Sequence, residues 1–137
     1  MVVSEQFQIT AKVCKVDESL GIVFGWAIVS SEDGQPYVDL QEDHISDAGM
    51  LRAADKFSKG PRSAKEMHDG DSIGTVPFLY PLTADIAKAL DLQTRRTGML
   101  IGMRPDKVEV LAKFKSGEYG GFSIAGSGTR RRVQPVP

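Results

Sequence analysis

A chain of 137 residues, 41% hydrophobic and 26% charged with a net charge of −1, can build one packed core but not two. No apolar run approaches the ~20 residues that cross a bilayer, and Met1-Val2-Val3-Ser4 lacks the basic and apolar stretches of a secretory leader. The single cysteine, Cys14, cannot form an internal disulfide, so a cytosolic setting is the expectation.

Phe7, Ile9, Ala11 and Val13 alternate with polar neighbours, the period of a half-buried strand. After a polar turn at Asp17-Glu18-Ser19, Leu20 to Val29 is apolar on both faces and reads as a central strand, paired with the first as a hairpin. Ser30 to Pro36 reads as a loop and Tyr37 to Leu40 as a short extended piece. Ser46 or Asp47 can cap a helix that turns Met50, Leu51, Ala54 and Phe57 to one face and ends at Gly60-Pro61. Ile73 to Leu82 is extended, with Pro77 and Pro81 marking an edge or a bend.

Thr83 caps a short helix carrying Ile86, Ala89 and Leu90, and Met99 to Met103 is a further strand. A third helix is expected over 105–116, with Pro105 in its first turn, Val108, Leu111 and Phe114 buried and Gly117 at its exit. Tyr119 to Ala125 forms the last strand, and Gly126-Ser127-Gly128 a flexible exit. Strands with helices inserted between them predict an α+β domain on a small, curled, mostly antiparallel sheet or barrel over residues 1–128. Trp26 is read as core, and Cys14 as an inert residue on the outward face of the first strand.

The first half of the chain is net negative and the second net positive, largely through Arg130-Arg131-Arg132 before the proline-containing end. Residues 129–137 are read as a solvated basic tail. A nucleic-acid-binding barrel using that tail is the remote alternative.

Two segments carry chemistry. His68 lies within Met67 to Val76, and Ser123 within Gly120-Gly121-Phe122-Ser123-Ile124-Ala125-Gly126. A serine hydroxyl is protonated at neutral pH and needs a base to become a nucleophile, and histidine has the unperturbed pKa nearest that task. The chain holds only two histidines, so the choice of base is narrow. The glycines around Ser123 leave bare backbone where amides of Gly121, Ile124 or Gly126 could meet an oxyanion. Taken singly, each residue has a plainer reading: Ser123 a small strand residue, His68 a loop histidine and His44 a solvated helix-entry residue. Asp39, Asp43 and His44 could approach a divalent ion, but no metal-binding spacing supports a site and no metal is expected. The glycine segments lack the lysine and following helix of a phosphate loop.

In their order, several segments together resemble the prohead maturation proteases of tailed bacteriophages, which share a fold with the herpesvirus capsid-assembly proteases. They are the strand Gly21 to Ala27, the acidic stretch Asp39 to Asp43 and the helix around Ala53 to Phe57. His68 follows, with Ile73-Gly74-Thr75-Val76 downstream, then the strand Gly98 to Met103, the helix ending Phe114 to Glu118, and Gly121 to Gly126 around the serine. The likeness covers about residues 20–126.

It implies a serine endopeptidase without a cofactor, with Ser123 as nucleophile and His68 as general base. It also implies scaffold and major capsid protein as substrates inside an assembling head in the host cytoplasm, and it allows self-association; no membrane partner is implied. One departure stands out: herpesvirus enzymes and some phage relatives place the residue that orients the base well after the nucleophile, yet the 14 residues after Ser123 include no His, Asp or Glu. Asp39, Asp43, His44 or Glu66 could orient His68 from upstream, the site could be a dyad, or the chain could be a processed, truncated or inactive form. The competing expectation is a catalytically silent member of the fold that serves as a head-assembly or scaffold-binding factor.

Overall fold

The computed structural model describes residues 2–38, 44–65 and 71–131. Six of its strands close on themselves. In chain order the elements are β1 (Val2–Asp17), β2 (Ile22–Glu32), β3 (Gln35–Pro36), α1 (Asp47–Lys59), β4 (Ser63–Lys65), β5 (Ser72–Leu82), α2 (Ala84–Ala89), β6 (Arg96–Pro105), α3 (Val108–Ser116) and β7 (Gly121–Arg131). Around the barrel the order is β1-β7-β4-β5-β6-β2 and back to β1, every pairing antiparallel, with β3 a two-residue extension beside β2.

Closure depends on β1 serving two neighbours. Its first part pairs with β7, Lys12 meets both Gly121 and Trp26, and the remainder pairs with β2. The register jumps between Val13 and Lys15, leaving Cys14 as the extra residue of a bulge. Such an insertion bends a strand and steepens its twist, as a small closed sheet requires. Gly98 answers a second close approach. Its φ is +147°, and a Cβ there would collide with the carbonyl of Ile28.

Alternation along the strands fills the interior with Ile9, Ala11, Val23, Ala27, Val76, Met99, Ile101, Met103, Phe122 and Ile124. Two helices contribute to the same core. Ser46 caps α1 by accepting from the Gly49 amide, and the helix delivers Met50 and Ala54. From α3, Phe114 meets Phe122 edge to face, with ring centroids 6.1 Å apart. No helix among the described residues is long and apolar enough to cross a membrane.

Several local expectations are corrected. Leu51 is exposed, so the apolar face of α1 narrows to Met50 and Ala54, with Phe57 half-buried at its margin. In α2 the buried residue is Ala87, whereas Ala89 and Leu90 face outward. Pro105 ends β6 rather than starting α3, and Val108 is 80% exposed at the first turn, before the helix settles on Phe114. Tyr37 and Val38 form no strand, and Leu40 lies outside the described residues.

Gly126-Ser127-Gly128 do not end the last strand. They continue β7 opposite Phe7, Gln6 and Glu5, where β1 supplies a ladder that local flexibility could not reveal. Trp26 is only half-buried, on the outward parity of β2 between the inward Gly25 and Ala27. The prolines of β5 occupy its far portion. There β6 is the only neighbour paired among the described residues, and Pro77 falls within a register shift.

Candidate active site

Two-residue periodicity sets the direction of Ser123. Phe122 and Ile124 point into the core, so Ser123 takes the opposite face of β7, yet it is only 2% exposed. Its strand partners are Thr10 of β1 and Lys65 of β4. Residues directly opposite in an antiparallel ladder share a face, so two hydroxyl side chains and an ammonium side chain form one row across three strands. Thr10 is exposed and Lys65 half-buried.

Strand β4 was not foreseen, because three residues are too few to display a period. Its middle residue, Ala64, is 0% exposed and lies between Gly74 and Ile124. Lys65 then pairs with Ser72 rather than the next residue in register, so Ile73 is the extra residue of a bulge on β5. Lys65 is thereby fixed between β7 and β5. It is the neighbour of Ser123 that sequence reasoning missed.

His68, Glu66, Asp39 and Asp43 lie outside the described residues. Both flanks of segment 66–70 are described: Lys65, opposite Ser123 and Ser72, and Asp71, which leads into β5. His44 lies just ahead of α1, its Nδ1 2.9 Å from the carbonyl oxygen of Tyr37. A carbonyl can only accept, so Nδ1 carries the proton and only Nε2 is left to act as an acceptor. Among the described residues no group of His, Cys, Asp and Glu gathers as metal ligands; Asp39 and Asp43 fall outside that set.

The backbone near Ser123 is unevenly paired. Ile124 is flanked on both sides, by Ile9 and Ala64, whereas Gly121 and Gly126 have described partners on the β1 side alone, Lys12 and Phe7. An oxyanion donor needs an N–H not already held in a ladder, a condition harder to meet at Ile124 than at either glycine.

A separate polar cluster fixes the entrance to α1. Ser30, 3% exposed, donates to the Asp47 carboxylate at 2.6 Å and shares a hydrogen bond with Thr97, which also bonds Ser31. It ties the first turn of α1 to β2 and β6. Cys14 is exposed, its Sγ 3.4 Å from the Phe24 carbonyl, and desolvation pushes its thiol above the ordinary value. That shift keeps it protonated and argues against a role as nucleophile.

The family model described as "Putative phage serine protease XkdF" matches residues 10–132. The match takes in β7 with Ser123, β4, and the segment that holds His68. No curated protein and no solved structure matches the chain significantly.

Proposed function

We propose, from the premise that this chain belongs to that family of phage serine proteases, that it is an endopeptidase that cleaves scaffold and capsid-protein segments as a phage head matures. Ser123 is the nucleophile and His68 its general base. The Oγ attacks the scissile carbonyl carbon while its proton passes to the imidazole. The imidazole returns that proton to the departing amine, and a water activated in the same way releases the acyl group from Ser123. Backbone amides at Gly121 or Gly126 hold the oxyanion, with no cofactor. The site of action is the assembling head in the host cytoplasm, and likeness to the herpesvirus capsid-assembly proteases belongs to the same proposal.

One observation carries the reading: Ser123 stands opposite Lys65, and the chain reaches His68 three residues after Lys65. Three residues span at most ~11 Å, so the chain connection leaves the base within reach of the hydroxyl. The test is cleavage of scaffold-fused capsid protein by Ser123→Ala, His68→Ala and, as an unrelated control, Arg95→Ala. The first two should lose ~10³-fold or more while the third stays active. Cleavage at the wild-type rate by either of the first two removes the mechanism.

The 2% exposure of Ser123 favours one second reading, a silent member of the fold that binds scaffold. A fluorophosphonate probe separates the two. Labelling of Ser123 supports the peptidase, whereas an inert Ser123 in a protein that still binds proheads supports the silent factor.

A further inference from the structure

Arg62 is the residue the proposed chemistry leaves unused and the fold treats oddly. It lies between Pro61 and β4, and its φ of +56° is left-handed. Among the described residues only Asp33 and Asp91 share that region without being glycine, and aspartate adopts it at less cost than arginine. The main chain there is held: the Arg62 carbonyl accepts from the Val76 amide at 2.8 Å. The side chain is not. Among the described residues its Nε is buried without a hydrogen-bond partner and no ion pair joins its guanidinium. A buried guanidinium nitrogen without an acceptor is costly, and strain and unsatisfied polarity of this kind gather where a ligand completes the structure.

The position gives the ligand a place. Lys65 stands opposite Ser123, and Arg62 lies three residues upstream on the same chain segment, no more than ~11 Å from Lys65 along the backbone. Lys65 enters no ion pair among the described residues either, so β4 sets one cation opposite the proposed nucleophile, and the same segment carries a second three residues earlier. A planar, always charged fork suits a carboxylate in particular. We propose that Arg62 selects an acidic side chain in the substrate peptide, two to four residues from the scissile bond. The inference rests on the reading of Ser123 as the nucleophile only for that distance; recognition of the carboxylate stands on Arg62 itself.

The experiment uses the full chain with two probes, a pool of glutamate-containing decapeptides and the same pool with each glutamate replaced by glutamine. The glutamate pool should raise the melting temperature of wild type and of Ser123→Ala, and the glutamine pool should not. Arg62→Met should abolish the difference, Arg62→Lys should retain part of it, and Arg95→Met, which removes an exposed cation elsewhere, should leave it whole. Without peptide, Arg62→Met should melt at or above the wild-type temperature, because an unpartnered buried nitrogen is removed. In cleavage maps of a mixed peptide library, a preference of tenfold or more for Asp or Glu at one fixed position should vanish in Arg62→Met.

Equal response to both pools, a persisting difference in Arg62→Met, or a markedly lower melting temperature of that variant without peptide overturns the proposal. If the protease reading alone is wrong, no cleavage and no fluorophosphonate labelling of Ser123 occur, while the glutamate-dependent stabilisation remains.

Discussion

Lys65 and Ser123 stand directly opposite each other in the β4–β7 ladder, a pairing that fastens the shortest barrel strand beside the residue proposed to carry the chemistry. Only one other described residue pair, Ala64 with Ile124, joins these strands. The attachment is therefore slight, and it depends on Ala64 being small enough to lie between Ile124 and Gly74.

Replacing Ala64 by leucine should overfill a site with no exposed surface. The expected loss is ~1–3 kcal/mol of stability, read by urea denaturation. Because the strain falls on the β4 attachment, fluorophosphonate labelling of Ser123 should change at temperatures where the protein is still folded. Labelling that tracks only the folded fraction would show that β4 does not hold the site.

Gly98→Ala should destabilise strongly. The backbone at φ +147° costs a residue with a Cβ ~1–3 kcal/mol, and the collision with the Ile28 carbonyl adds to it. Gly117→Ala, at φ +85° with nothing within 4 Å of its Cβ position, should cost less. Denaturant midpoints of the two variants check the order.

Ser30→Ala removes the hydroxyl shared by Asp47 and Thr97 and should cost ~1–3 kcal/mol, since one of its bonds is to a carboxylate. Hydrogen exchange should speed most at the first turn of α1. Uniform acceleration through the barrel would mean that the cluster does not pin that helix.

The Asp33 carboxyl is held below the usual carboxylate range by its hydrogen bonds from Arg95, at 2.8 and 2.9 Å. A carboxyl with a lower pKa in the folded state stabilises the fold above ~pH 4, and that contribution fades as pH falls through the folded value. Asp33→Asn should therefore melt slightly below wild type at neutral pH, with the gap closing in acid. Both side chains are exposed, so the gap should be small and should shrink with salt. A gap unchanged down to pH 2.5 would rule out the ion pair as its source.

Long periodic segments were legible. Alternation from Phe7 to Val13, the apolar run to Val29, and Ser46 and Thr83 as caps all correspond to observed elements, because each is decided by residues near one another in sequence. Ser123 was legible as a strand serine among glycines. Its neighbours were not: nothing local to Arg62-Ser63-Ala64-Lys65 marks a strand, and nothing near Gly126-Ser127-Gly128 says that β1 continues beside it.

Residue type and spacing determined by themselves that this chain would alternate strands with short helices around one core and carry a serine flanked by glycines. Tertiary structure alone decided that Lys65 would stand opposite that serine, that Arg62 Nε would be buried without a hydrogen-bond partner among the described residues, and that β1 would bend to serve two neighbours. The division is physical. Period and capping act over a few residues, whereas register across a closed sheet is settled by side chains far apart in the chain competing for the same interior space.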